Sequence, residues 1–350
     1  MSRHVSTDLP RVSILMPVRN EQAYIERSLN AVFAQDYPED LVEVIVCDGM
    51  STDETRAIVQ ALQTSHPNLA LIDNPGLTAP AALNLATRSA SGDILVRVDG
   101  HCEIAKDYVA NCVRHLLADG VEGVGGSVET IGEGRTAEAI AVAMSSRFGV
   151  GGSAFRTVKG RDMLVDTIPF PAYTREIVET AGPYDETMVR DQDDEYNYRI
   201  RKLGGRLLLA ADVTSVYYSR ADIPSLWRQY YGYGLWKARI FRRHPHQMSL
   251  RQFVPGVLVA CLAILALLSP FSSKARRLLQ AVVLTYGTAS GIASVEAASR
   301  SRWSYLPLLP AAFAALHLSY GVGFLVGNGR VAAEAVLKGP KTKDGDHREI

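Results

Sequence analysis

Gly92-Asp-Ile-Leu-Val-Arg-Val-Asp-Gly-His101 is the stretch that decides how this 350-residue chain is read. Ile94 to Val98 has the length and apolar content of a buried strand, and Asp99 stands at its end. Asp99 and His101 are two residues apart, so a strand-end conformation turns both toward one pocket. Upstream, strand-like and helix-like segments alternate. Val12 to Met16 is a first strand, stopped by Pro17. Glu21 to Ala34 sets Ile25, Leu29, Val32 and Phe33 at helical spacing, with Asn20 as the expected N-cap. Leu41 to Cys47 is a second strand. Ser51-Thr-Asp-Glu54 matches a capping box and opens a helix to Gln63. Leu69 to Ile72 is a third strand, and Ala79 to Ala90 a third helix, closed by Gly92. Strands separated by helices of this length favour an α/β fold with a mostly parallel central sheet covered on both faces. Ligands bind such sheets beyond the carboxyl ends of the strands. Arg19, Asn20, Asp48, Ser51, Asp53 and Asp99 all follow strand ends, so they are expected to meet at one rim.

Downstream, Tyr108 to Leu117 is a helix. The glycines from Gly120 to Ser127 neither follow a first strand nor open a helix, and are read as strand and turn glycines. Ala137 to Phe148 is helical. Thr174 to Thr180 is a short helix ended by Gly182-Pro183. A second acidic cluster, Asp191-Gln-Asp-Asp-Glu195, begins the helix Asp193 to Leu203, which Gly204-Gly205 stops. Arg206 to Ala210 returns as a strand.

After Ile223-Pro224 the character changes. Trp227, Tyr230, Tyr231, Tyr233 and Trp236 lie among Arg228, Lys237, Arg239, Arg242 and Arg243, a mixture suited to the headgroup level of a membrane. Phe253 to Phe271 carries no charge and is near the ~20 residues needed to cross a bilayer. Leu278 to Val295 is a weaker second span and Trp303 to Gly329 a third. The expected organisation is a catalytic domain over 11–223, an interfacial segment over 224–252, membrane helices over 253–329 and a polar tail over 330–350. Lys+Arg and Asp+Glu both number 37, so no overall basic bias favours nucleic acid. The four cysteines form no CxxC pair, which argues against a disulfide framework. The first residues are polar and carry no signal-peptide run. With the dense positive charge before the first span, this points to a cytoplasmic catalytic domain and a multi-pass protein of the bacterial inner membrane.

The two acidic clusters fit the cleavage of a sugar–diphosphate bond. A divalent cation neutralises the charge that develops on the departing diphosphate. Mg or Mn takes oxygen ligands, and Mn accepts His, so Asp99 and His101 are the expected metal residues. Asp193 crowds against Asp191, Asp194 and Glu195. Like charges raise a carboxyl pKa toward a value useful for taking a hydroxyl proton, while a helix N-terminus pulls it down. Asp194 is the rival base. Asp53 is equally read as a helix cap, Asn84 as structural or close to phosphate, and Cys102 as packing.

With these pieces assembled, the chain resembles glycosyltransferase family 2, the inverting enzymes with a GT-A nucleotide-sugar fold, and within it the bacterial succinoglycan-biosynthesis glucosyltransferases. The resemblance is carried by Val12-Ser-Ile-Leu-Met-Pro-Val-Arg-Asn-Glu21, Val46-Cys-Asp-Gly-Met-Ser-Thr-Asp53, Ala82-Leu-Asn84, the Gly92–His101 stretch, and Gln192-Asp-Asp-Glu-Tyr-Asn-Tyr-Arg199. It covers about Arg11 to Phe241. It implies that Pro17, Glu21 and Asp48 line the base and ribose pocket, and that Asp99 holds metal and diphosphate, with His101 where the family usually has a second Asp. It also implies that Asp193 is the general base and that Arg199 is the trailing arginine of its helix. Arg19, Ser51, Asp53 and Asn84 join the expected substrate-binding set, and Trp236 is an expected acceptor contact. The Gln-x-x-Arg-Trp element of processive synthases is absent in that form around Gln229, which favours transfer of one sugar.

The expected reaction is a single inverting displacement, with the acceptor hydroxyl deprotonated by Asp193. The resemblance implies UDP-glucose as donor. The membrane part suggests a polyprenyl-diphosphate-linked saccharide acceptor in exopolysaccharide or cell-surface polysaccharide assembly, alongside membrane lipid and other assembly proteins. The alternatives are a polyprenyl-phosphate sugar synthase, which needs no strong base, and a non-catalytic membrane scaffold.

Overall fold

The computed structural model describes residues 9–337. In chain order the elements are β1 (Val12–Val18), α1 (Ile25–Phe33), β2 (Val42–Asp48), α2 (Thr55–Gln63), β3 (Leu69–Asp73), α3 (Ala79–Ser89), β4 (Ile94–Arg97), β5 (Cys102–Ile104), α4 (Tyr108–Ala118), β6 (Gly123–Ile131), α5 (Arg135–Met144), α6 (Arg147–Val150) and α7 (Ala154–Thr157). There follow β7 (Met163–Leu164), β8 (Ala172–Thr174), α8 (Arg175–Ala181), α9 (Gln192–Lys202), β9 (Leu207–Tyr218), α10 (Ile223–Arg243), α11 (Val254–Leu268), α12 (Ser273–Arg300) and α13 (Leu309–Leu337).

The strands form one sheet in the order β3-β2-β1-β4-β8-β6-β9-β5, with β7 also on β9. The first four are parallel, as their alternation with helices predicts. The second half is mixed: β8 runs antiparallel to β4 and β6, β9 runs parallel to β6, and β5 and β7 are antiparallel to β9. β1 lies between β2 and β4, and six of its seven residues are buried, so it reads as a continuous apolar run rather than an alternating one. α1 turns Ile25, Leu29 and Val32 inward, one face of a 3.6-residue repeat. On the face shared by α3, α8 and α9, Leu15, Ile45 and Leu95 of the sheet pack with Leu83, Ile177 and Tyr196.

Several local expectations change. Asn20 is not the cap of α1, which begins after Tyr24. Asn20 adopts φ 55° and donates its backbone N–H to Ser51. The capping box at Ser51 does not form, because Asp48 and Asn20 take up that hydroxyl. Asp53 instead accepts the backbone N–H and the hydroxyl of Thr55 at the start of α2. Gly92 does not stop α3, which ends at Ser89. A Cβ there would lie 2.6 Å from the Ser13 nitrogen, so glycine is needed for the close approach to β1. The helix expected over Ala137 to Phe148 breaks after Met144, and the Ser146 hydroxyl caps α6. The last strand runs on to Tyr218.

The chain divides into two compact units. The first holds the sheet and ends at Asp222, but it also includes Ala297–Leu309. That returning segment is fixed to α5: the Tyr305 hydroxyl donates to Glu138 at 2.5 Å, and Arg135 donates to the Ser304 carbonyl at 2.7 Å. The second unit contains α10, α11, most of α12 and all but the first residue of α13. Three stretches in it are long and apolar enough to cross a membrane: Leu250–Leu268, Ser273–Arg300 and Leu309–Ala333. The third is half buried, whereas the first two bury few of their residues and expose apolar side chains such as Leu267, Leu284 and Ile292. α10 and α13 meet backbone to backbone; a Cβ on Gly234 would fall 2.0 Å from the Tyr320 carbonyl oxygen. The expected tail boundary at residue 330 is not a structural one, since α13 continues to Leu337. The rest of that tail lies outside the described residues.

Candidate active site

The rim beyond β1, β2 and β4 is built by cross-linked loops. Asp48 ends β2, is almost fully buried, and accepts the Ser51 hydroxyl at 2.5 Å and Arg56 Nη1 at 3.4 Å. Arg56 also pairs with Asp73 at the end of β3, at 2.6 Å. Asn20 Oδ1 accepts the Thr52 N–H at 2.8 Å, and Asp53 Oδ2 accepts the Gln22 N–H at 3.2 Å. The loops after β1 and β2 are thus laced into one wall. Pro17 is the least buried residue of β1, and Arg19 is exposed beside it, with Nη1 3.5 Å from the Leu77 carbonyl oxygen. Met50 and Leu77, each with positive φ, expose apolar side chains on the same rim.

Beyond β4, Asp99 is gripped by Arg97. Nε reaches Oδ1 at 2.8 Å and Nη2 reaches Oδ2 at 3.1 Å. His101 Nδ1 bonds Glu21 Oε1 at 2.8 Å, and its ring meets the edge of Tyr217. Burial lowers the pKa of His101, but the Glu21 hydrogen bond and the charges of Glu21 and Asp99 outweigh it, and the net shift is upward.

The second acidic cluster comes to the same place. Asp191 takes a left-handed conformation and turns the chain into α9. Asp193 is half-buried, and its Oδ1 accepts the Asp194 N–H at 2.9 Å. Burial pushes the Asp193 pKa up, Arg97 opposes this, and the charges of Asp194 and Asp99 add to it, for a net rise. Arg97 in turn feels both Asp99 and Asp193. Carboxylates nearly a hundred residues apart in sequence therefore share one electrostatic environment, centred on a buried guanidinium.

Other expected site residues are already engaged within the protein. Asn84 is held within the fold: Nδ2 donates to the Tyr184 carbonyl at 3.0 Å and Glu186 at 2.9 Å, and Oδ1 accepts the Tyr184 N–H at 2.7 Å. Arg199 pairs with Glu195 and donates to the carbonyls of Ala181 and Pro183, so it fastens the α8–α9 connection. Asp53 and Ser51 hold loops, and the Glu21 carboxylate is turned to His101. Trp236 belongs to the second unit, where Arg239 lies over its ring at 4.7 Å. Arg97 was not foreseen as a site residue. Its one sequence signal is a cation within the apolar run Ile94 to Val98, where every neighbour is buried.

The side chains of Asp99 and His101 offer donor atoms of the kind a divalent cation takes. With Nδ1 on a carboxylate, His101 presents Nε2 as the ligand atom, the usual arrangement of a metal-binding histidine. Asp99 spends one lone pair of each oxygen on Arg97 and keeps the others. A second group, His115, Asp162 and Asp212, holds its ligand atoms within 4.8 Å of one another. There both ring nitrogens of His115 are bonded to carboxylates, Asp119 at 2.6 Å and Asp212 at 2.8 Å, and Arg114 also pairs with Asp212. Burial lowers the His115 pKa, yet the two carboxylates win and raise it. His115 held in this way, with Arg114 on Asp212, ties α4 to β9.

A sheet of this order, with acidic groups beyond its strand ends, defines the GT-A architecture of nucleotide-sugar enzymes. The model of glycosyl transferase family 2 matches residues 13–181. The succinoglycan biosynthesis protein ExoA of Rhizobium meliloti (strain 1021) is 32% identical over 322 residues, 89% of this chain and 93% of its own. The dolichyl N-acetyl-alpha-D-glucosaminyl phosphate 3-beta-D-2,3-diacetamido-2,3-dideoxy-beta-D-glucuronosyltransferase of Methanococcus voltae is 30% identical over 66% of this chain and 74% of its own. Among solved structures, the mannosyltransferase PcManGT from Pyrobaculum calidifontis, in complex with GDP-Man and Mn2+, superposes with a TM-score of 0.58. It is 24% identical and covers 89% of this chain and 88% of its own, a likeness of fold. The chain belongs to glycosyltransferase family 2, and is a glycosyltransferase.

Proposed function

We propose that this enzyme moves one sugar, glucose from UDP-glucose, onto a lipid-linked saccharide during polysaccharide or glycolipid assembly, with inversion at the anomeric carbon. The observation that carries the reading is the electrostatic environment that Asp99 and Asp193 share: Arg97 is hydrogen-bonded to Asp99, and the charge of Asp193 acts on the same guanidinium. It supplies a leaving-group side and a proton-accepting side within one site. The relatives' roles in succinoglycan and dolichyl-linked sugar synthesis support the acceptor class.

In this reading the wall formed by Pro17, Arg19, Asp48 and Met50 holds the base and ribose. Asp99 and His101 hold a divalent cation, Mg or Mn, which stabilises the charge on the departing diphosphate when bound. Asp193, poised by its raised pKa, accepts the proton of the acceptor hydroxyl. The hydroxyl oxygen bonds to the anomeric carbon from the face opposite the nucleotide. The bond from that carbon to the diphosphate oxygen breaks, and its electron pair leaves with UDP. Asp194 is the competing base. The three apolar stretches support a multi-pass protein of the bacterial inner membrane whose catalytic unit faces the cytoplasm, where nucleotide sugars are made.

Membranes carrying the wild type, Asp193→Asn and Asp99→Asn are to be assayed for UDP release from UDP-sugars with a lipid-linked acceptor extract. Loss of turnover in both variants, and with excess chelator, is expected. Full turnover in Asp193→Asn would remove the base assignment, and indifference to chelator would remove the cation.

A further inference from the structure

Arg97 is out of place by the logic of its strand. β4 lies between β1 and β8, and Ile94, Leu95, Val96 and Val98 are all buried around Arg97. The Arg97 side chain is only 9% exposed. Burying a guanidinium costs several kcal/mol unless charge and geometry are matched, and an aliphatic residue would suit such a strand better. The match is present: both oxygens of Asp99 receive one N–H each from the same planar fork. The fork fixes the Asp99 rotamer and cancels its charge before any ligand arrives.

We infer that Arg97 is a positioning residue, a built-in counter-ion that keeps Asp99 from retaining a divalent cation alone and leaves firm retention to the cation–diphosphate pair. The inference rests on the reading of Asp99 and His101 as the cation ligands. A cation approaching the free enzyme meets a neutralised Asp99–Arg97 pair. A nucleoside diphosphate brings its own negative charge, and the balance then favours the cation. The lone pairs of Asp99 that Arg97 does not use remain available for it. Arg97 thereby couples cation and donor binding, and at the same time orients the carboxylate that both require.

The test is Mn2+ binding to detergent-purified protein, followed by the electron paramagnetic resonance signal of free Mn2+, with and without UDP. In the wild type, UDP is expected to tighten Mn2+ binding at least tenfold. Arg97→Met removes one positive charge beside the site, so Mn2+ alone should bind about tenfold more tightly, and the effect of UDP should shrink accordingly. Arg97→Lys keeps the charge but loses the fork. It should retain the weak Mn2+ binding of the wild type in the absence of UDP, while UDP tightens that binding less and donor KM rises, a split that a purely structural role would not produce. Unchanged Mn2+ affinity in Arg97→Met, with normal UDP coupling, overturns the counter-ion role and leaves the cation site standing. Should Arg97→Met fail to fold, Arg97→Gln replaces it with the same two outcomes. If Asp99→Asn binds Mn2+ and UDP as the wild type does, the cation site itself is wrong, and the inference falls with it.

Discussion

Replacing Asn84 tests whether it serves substrate or architecture. Its side chain makes three hydrogen bonds, two to the backbone of Tyr184 and one to Glu186, and it is almost completely buried. Asn84→Ala leaves the Tyr184 N–H and C=O without partners in a buried setting. Each orphaned group costs about 1–3 kcal/mol, so the loss of stability should be about 2–6 kcal/mol. Asn84→Asp should be at least as harmful: it keeps an acceptor for the Tyr184 N–H but turns a carboxylate toward the Tyr184 carbonyl and the Glu186 carboxylate. Tyr184 stacks on Tyr196 of α9 at 3.9 Å, so a loosened Tyr184 also loosens the helix that presents Asp193. Thermal unfolding of the purified protein and steady-state UDP release are the assays. The expected pattern is a lower melting temperature and a lower kcat with donor KM unchanged. A stable Asn84→Ala protein with donor KM raised tenfold or more would refute this reasoning and return Asn84 to the substrate-contact set.

Three further outcomes are expected. Asp193→Asn should lower kcat by about 10²–10⁴-fold with UDP binding retained, whereas Asp194→Asn should keep most activity and shift the acid limb of the pH–rate profile to lower pH, because it removes a charge that raises the Asp193 pKa; the reverse ranking would make Asp194 the base. The His115 pKa is raised in the fold by Asp119 and Asp212, so its contribution to stability is complete below the unfolded-state value of about 6.5 and is lost as pH rises through the higher folded value. Melting curves of wild type and His115→Gln should therefore differ most at acid pH and converge in alkali. Tyr305→Phe should cost about 1–2 kcal/mol by removing the bond to Glu138, read as a lower melting temperature.

The sheet and the long apolar helices were legible because both announce themselves as apolar runs. Val12–Val18 and Ile94–Arg97 read as strands without knowledge of their partners, and Phe253 to Phe271 reads as a span by length alone. The antiparallel half of the sheet was not legible: β8 is three residues long, and its place between β4 and β6 depends on pairing across the domain. The acidic residues were visible as types, but their employment was not. Asp53, Asn84 and Arg199 bond to partners that local spacing does not reveal, such as Tyr184, a hundred residues from Asn84. The grip of Arg97 on Asp99 was local in sequence, yet it depends on both side chains turning to one side as the strand ends.

The return of Ala297–Leu309 to the first unit bears on biosynthesis. A ribosome finishes Asp222 long before it makes Tyr305, so the surface of α5 waits uncovered while two long apolar helices are made. Completion of the globular part therefore waits on synthesis of both apolar segments. A chain cut after residue 222 lacks the strap that carries Tyr305 and Leu309, and should be recovered with poorer yield and solubility than the full-length enzyme in detergent.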